Sequence, residues 1–206
     1  THTERDGVKH LTNDGYTSNT GDNDNWQASG FLLLRQRLGK PGRTLSANIR
    51  FSFSGNELNG FNQSLTRVTE VGSDTPKDEI VNQLFDQNSH SSSLSGRVVY
   101  TEPITQHFFF EANYQYSWSR NTSNKDTYNS GSNVYDMSHM KYDYAGETYD
   151  PTYSSSILNR YINQRAGVTL SWQTEKINAQ VGAQINPTDT HNETNGKSYD
   201  SYVINW

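Results

Sequence analysis

The chain has 206 residues, a net charge of −5, no cysteine and a mean hydropathy of −0.92. Zero cysteine excludes a disulfide framework and thiolate chemistry, the lack of a basic cluster argues against a nucleic-acid partner, and no apolar run reaches the roughly 18 residues of a spanning helix. Only 31% of residues are hydrophobic, yet 13 Tyr and 4 Trp are the wrong composition for a disordered chain.

From the N-terminus onward the chain repeats one device, a two-residue alternation closed by a turn. Residues 26–38 set Trp26, Ala28, Leu32, Leu34 and Leu38 on one face and end at Gly39-Lys40-Pro41-Gly42-Arg43, whose Pro and glycines mark a tight reversal. Residues 44–54 alternate Leu45, Ala47, Ile49, Phe51 and Phe53 with Ser46, Asn48, Arg50 and Ser52. A polar stretch from Gly55 to Ser93 follows, and residues 93–101 then line up Leu94, Gly96, Val98 and Tyr100. Beyond the short Glu102–Gln106 link, residues 107–118 carry Phe108, Phe110, Ala112, Tyr114, Tyr116 and Trp118 on one face. A second polar stretch, Ser119 to Ser155, precedes residues 157–172, with Ile162, Ala166, Val168, Leu170 and Trp172. Gln173–Lys176 then leads into residues 177–186, with Ile177, Ala179, Val181, Ala183 and Ile185.

Successive strand residues point to opposite faces, so each segment is apolar on one side and polar on the other. Strands of about nine to eleven residues with this pattern are the signature of a membrane barrel wall. A barrel also accounts for the low hydropathy, because alternate residues alone meet lipid. The connections run short, long, short, long, short, which a soluble Greek-key sandwich rarely shows. On the rule that outer-membrane barrels have short periplasmic turns and long extracellular loops, the Gly39, Pro103 and Thr174 turns face the periplasm. Tyr100, Phe108 and Trp172 beside the turns, and Trp26, Tyr116 and Trp118 at the far ends, have the placement of two interfacial girdles. Strand preference for aromatics competes as an explanation, but it does not account for an apolar side free of charge along all six strands. The expected fold class is all-β: about six strands of an antiparallel transmembrane β-barrel.

Six strands fall short of the roughly eight of the smallest single-chain membrane barrel. The chain is therefore expected to be a contiguous slice, residues 1–206 being part of one outer-membrane barrel domain. It opens in an outer-loop segment (Thr1–Asn25) without a secretory signal and enters a seventh strand at Tyr202–Trp206.

Several runs carry a family likeness. Gly39–Ser54 (GKPGRTLSANIRFSFS), Gly60–Thr66 (GFNQSLT), Ser95–Pro103 (SGRVVYTEP), Glu111–Tyr114 (EANY) and Gln164–Trp172 (QRAGVTLSW) resemble the barrel segment of TonB-dependent receptor-like outer-membrane proteins of the Bacteroidetes. The resemblance spans about Trp26 to Ile185 and rests on turn-and-strand patterns. It implies a 22-stranded barrel with an N-terminal plug and a TonB-contacting segment, neither of which is visible in this chain. The function it implies is uptake of a substrate across the bacterial outer membrane with TonB-coupled energy. The alternative is a non-transporting barrel subunit that scaffolds surface lipoproteins or an assembly, and a third reading is a soluble β-rich adhesin module. The implied partners are the outer-membrane bilayer, the rest of the barrel and its plug, TonB and a surface lipoprotein.

Two groups of residues are candidates for function. Arg35, Arg50, Arg97 and Glu111 lie four to six residues from the short turns, with Asn113 and Arg165 nearby. All are out of phase with the apolar stripes, so they are expected to face the lumen as one band in contact with a plug or an anionic substrate. Routine lumen polarity explains the same pattern. Tyr135, Tyr142, Tyr144, Tyr149 and Tyr153 crowd one outer loop among Asp and Asn, a composition suited to recognition or to packing as a lid. The acidic stretches Asn13–Gly15 and Asp22–Asn25 lack the spacing of a calcium loop. The Met137-Ser138-His139-Met140 group is a soft-metal set more simply read as incidental. No cofactor, metal site or enzyme motif is expected.

Overall fold

The computed structural model describes residues 2–5, 8–11, 13–69, 75–136 and 139–206. Among these the regular structure is strand alone: β1 (His2–Arg5), β2 (Val8–Leu11), β3 (Asn13–Arg37), β4 (Thr44–Val68), β5 (Lys77–Pro103), β6 (Phe108–Asn129), β7 (Tyr135–Asp136), β8 (His139–Met140), β9 (Thr148–Tyr149), β10 (Ser155–Gln173), β11 (Asn178–Thr194) and β12 (Lys197–Asn205). An eight-stranded antiparallel sheet follows the order β12-β11-β10-β6-β5-β4-β3, with β9 paired to β6. The sheet is open, and β3 and β12 are its free edges. β1 pairs with β2 and β7 with β8 in separate two-stranded ladders.

Turn chemistry explains the meander. Gly39 and Gly42 take φ of 65° and 83° between β3 and β4, where Leu38 N donates to Arg43 O at 3.0 Å. Between β5 and β6 the Thr105 hydroxyl accepts the amides of His107 and Phe108 at 3.3 and 3.1 Å, a side-chain copy of a backbone turn. Thr174 accepts from Ile177 N in the same way at 3.0 Å. Asn195 and Gly196, at φ 49° and 76°, form the two-residue reversal between Thr194 and Lys197. Two successive positive φ values belong to the primed turn whose twist matches a hairpin.

The chain divides into two compact units, one drawn from Thr1–Asp24, Asn56–Asn88 and Asn124–Ser155, the other from Asn25–Gly55, Ser89–Ser123 and Ser156–Trp206. In the second unit the alternation read from the sequence sorts the sheet into two faces. On the apolar face the Phe51 ring covers Gly30, Phe108 stacks on Trp172 at 5.9 Å with 4° between planes, and Trp172, Leu170 and Val168 pair with Ala179, Val181 and Ala183. Gln164 is the polar intruder on this face, and its Oε1 accepts from the Tyr114 hydroxyl at 2.8 Å. Phe51, Val98, Tyr114 and Val168 are all exposed, so no second layer covers them and they do not form the inside of a sandwich.

The segments expected as long outer loops are largely strand. β4 continues to Val68 and β5 begins at Lys77, which reduces the first connection to residues 69–76. β6 continues to Asn129, and residues 130–154 hold β7, β8 and β9. β3 starts at Asn13, inside a stretch read as loop, and β12 is a full seventh strand on the sheet path. The reason is physical. Where both faces of a strand carry polar side chains there is no apolar period to signal it, although the backbone ladder is unchanged. In the first unit amides mark that ladder: Gln63 Nε2 donates to Asn82 Oδ1 at 2.8 Å, and Gln83 Nε2 to Asn129 Oδ1 at 3.0 Å.

Among the described residues the buried hydrophobic side chains are Leu65 and Met140, both in the first unit. The fold thus concentrates its apolar side chains on one uncovered sheet face, where a globular domain of this size would bury them.

Candidate functional site

On the polar face of the second unit, parity sets Arg35, Arg50, Arg97, Glu111, Asn113 and Arg165 on one side of the sheet. Asn113 lies against Gly167, whose added Cβ would sit 3.3 Å from the amide. Arg165 Nε donates to Asn186 Oδ1 at 2.9 Å. Among the described residues no ion pair joins Arg35, Arg50 or Arg97 to Glu111. Antiparallel register also separates the arginines from one another. Arg50 lies across from Phe31, four residues from Arg35, so the two arginines differ in height by about 13 Å. Arg35 stands three residues before Leu38 and Arg50 seven after Arg43, so the two lie at unequal distances from the one turn they share.

Arg50 borders an open depression of about 990 Å³ formed with Phe31, Leu33, Asn48, Ser93 and Ser95. Phe31 and Leu33 put apolar surface on the polar face, and both are exposed. The four-residue run Phe31-Leu32-Leu33-Leu34 sends two side chains to each side. A run without alternation hides the pair on the polar side, and only the strand's register reveals it. The depression combines a guanidinium, hydroxyls, an amide and apolar contact, a set suited to an anionic, partly apolar group.

At the turn end of β5 an ion cluster joins two hairpins. Arg43 Nε and Nη2 donate to the two carboxylate oxygens of Glu102 at 2.6 and 3.0 Å, and the Tyr100 hydroxyl donates at 2.6 Å. Lys40 reaches Glu102 at 3.4 Å and also donates to the Pro103 carbonyl. These bonds, those from Arg43 first, hold the Glu102 carboxyl down to about 2. Arg43 and Glu102 sit at the two turns picked out by their Gly and Pro, which was the available signal.

In the first unit the tyrosines divide into two roles. The Tyr135 hydroxyl donates to Asp78 Oδ2 at 3.2 Å, within the bidentate Arg67–Asp78 pair of 2.7 and 2.9 Å. Hydrogen bonds from Arg67 and Tyr135 lower the Asp78 carboxyl. Tyr142 packs between Phe61 and Tyr144, with ring centroids at 5.3 and 4.8 Å, and donates to Glu147 Oε2 at 3.1 Å. Burial is the main cause that raises its phenol. Tyr135 and Tyr142 are therefore held by side-chain partners within this unit. Tyr144, Tyr149 and Tyr153 remain exposed, on a segment tied down through Asp150 N to Thr127 O at 2.7 Å and Thr127 N to Ser154 Oγ at 2.9 Å. Tyr149 also meets Tyr128 edge-on at 5.6 Å. The segment thus presents three exposed phenols on a backbone held by hydrogen bonds.

Of the Met137–Met140 group, Met137 and Ser138 lie outside the described residues, while Met140 is buried and its carbonyl accepts from Gln63 at 3.4 Å. Among the described residues no group of three or more His, Cys, Asp or Glu is placed to hold a metal ion.

No protein-family model matches this chain, and no curated protein sequence matches it.

Proposed function

We propose that the chain is part of the wall of an outer-membrane β-barrel whose apolar face meets lipid, whose polar face lines a lumen and whose tyrosine-bearing segment contacts incoming substrate. The observation that carries this reading is the uncovered apolar face. On β10 the outward positions from Ile162 to Trp172 carry no charge, and Arg160 is the next outward residue. Ten residue steps cover about 33 Å along a strand. Tilted by 35–45°, they project to about 25 Å, the height of the apolar band of outer-membrane barrels. β6 repeats the interval, uncharged from Phe108 to Trp118 and charged at Arg120.

The open edges fit the same reading. Seven consecutive antiparallel strands leave β3 and β12 running in the same direction, so they do not close on each other in an antiparallel barrel. In lipid each unpaired backbone group costs several kcal/mol, so further strands complete the wall. The resemblance to TonB-dependent receptor-like barrels supports uptake as the activity, with Arg50 and its depression toward the plug or the substrate, and Tyr144, Tyr149 and Tyr153 as capture residues.

Lipids brominated along their acyl chains test the membrane reading. Tryptophan fluorescence of the chain reconstituted in such vesicles is expected to fall, because Trp172 lies on the apolar face. Unchanged emission, with the chain recovered in the soluble fraction, refutes it. Replacing Tyr144, Tyr149 and Tyr153 together by Ala is expected to abolish retention on glycan and peptide arrays while leaving β-sheet content unchanged. Equal retention removes their role in capture.

A further inference from the structure

The row one outward position beyond Trp118 and Ile162 has an unusual composition. Strand register places Arg160 opposite His191 and His191 opposite Asp200. On the other side of β10, the β6 register is set by the Phe108–Trp172 stack, the Gln173 N to His107 O bond and the Asn113–Gly167 contact. Continued along the strands, that register brings Arg120 opposite Arg160. Both arginines share the parity of the apolar stripe, so both project from the apolar face, one outward position beyond Trp118 and Ile162.

Both side chains are exposed, and among the described residues neither takes part in an ion pair. His191 Nδ1 is engaged by Asp200 at 2.5 Å. The nearest other carboxylates on this face, Asp189 and Glu193, flank His191 on β11 and stand diagonal to Arg160, about 7–8 Å away on a regular sheet. Directly opposed residues have Cβ atoms about 5 Å apart, and like charges so placed destabilise a sheet. Such a pair is stabilised by an anion that both guanidiniums can grip, and phosphate, with several oxygens matching the guanidinium fork, is the anion best suited to it.

We propose that Arg120 and Arg160 form a binding site for the phosphate of a membrane lipid headgroup at the rim of the apolar band. This rests on the lipid-facing reading of the apolar face. The position decides for a lipid source: Trp118 and Ile162 sit immediately on the band side of the arginines, so acyl chains against the stripe bring their phosphates to this row. The two Arg act as a pair, and His90, on β5 at one position beyond the residue opposite Arg120, adds an exposed imidazole on that side.

The test uses the full chain in maltoside micelles, which carry no phosphate, titrated with diphosphorylated lipid A and followed by native mass spectrometry. Wild type is expected to bind, the R120Q/R160Q variant to lose at least tenfold in affinity, and R120K/R160K to retain part of it. Unchanged binding by the Gln variant overturns the proposal, as does equal binding of the dephosphorylated, acyl-matched lipid. Inorganic phosphate that saturates the same arginines at equal concentration overturns the lipid assignment. Quenching by brominated acyl chains separates the two readings: quenching with arginine-independent lipid A binding removes this site and leaves the membrane reading standing, while absence of quenching overturns both.

Discussion

An arginine at Val168 distinguishes a lipid-facing sheet from a soluble one more sharply than any other single change. Val168 is 48% exposed, opposite Ala183, and lies four residues from Trp172 and six from Ile162 along β10, close to the middle of the uncharged band. In water, a substitution at a half-exposed sheet position with no hydrogen-bonded partner changes stability by less than about 0.5 kcal/mol. At the midplane of a bilayer the same arginine costs about 2–4 kcal/mol on the lipid face of a barrel, a loss of about 30- to 900-fold in the folded-to-unfolded ratio. Ser171→Arg is the matched control, because Ser171 pairs with Gln180 on the polar face. Urea titration of each variant in vesicles supplies the measurement. The expected result is a loss of about 2–4 kcal/mol for V168R and less than about 0.5 kcal/mol for S171R. Equal small losses refute the lipid assignment. An equally large V168R loss in detergent-free buffer refutes it in another way, by showing that protein covers this face.

Further outcomes follow from the turns and the packed loop. Glu102 has its carboxyl depressed from 4.5 to about 2 by Arg43 and Tyr100, so its contribution is complete above pH 4.5 and disappears as the pH falls toward 2; amide exchange at Leu38 and Arg43 should accelerate across that window, and E102Q should remove the dependence. Gly196 at φ 76° makes Gly196→Val unfavourable by about 1 kcal/mol or more in chemical denaturation, with Asn195→Gly close to neutral. A Cβ on Gly131 would stand 2.6 Å from the Gly146 backbone, so Gly131→Ala should loosen the tyrosine segment by about 1–3 kcal/mol, seen as faster exchange at Gly131 N, which donates to Asp143 O. Arg67→Ala leaves Asp78, among the described residues, with Tyr135 as its side-chain donor, and the Asp78 carboxyl should titrate closer to its ordinary value by NMR.

The strand-and-turn plan was written in the sequence wherever one face of a strand is apolar. Leu45–Phe53, Phe108–Trp118 and Ile177–Ile185 follow a period of two that admits no other regular structure, and Gly39-Lys40-Pro41-Gly42 admits little but a reversal. The split of Arg50 and Arg165 from the apolar stripe came from the same parity. Tertiary structure alone decided three things. Polar stretches such as Gly55–Val68 are strand because neighbouring strands hydrogen-bond them, and without an apolar period the local sequence carries no mark of it. Register decided which residues of adjacent strands stand level, separating Arg35 from Arg50 and bringing Arg120 opposite Arg160. Packing in the 130–154 segment divided five similar tyrosines into Tyr135 and Tyr142, held by Asp78, Phe61 and Glu147, and Tyr144, Tyr149 and Tyr153, left in contact with solvent. A side chain's type sets what it can bind, but its neighbours across the sheet decide whether it is free to do so.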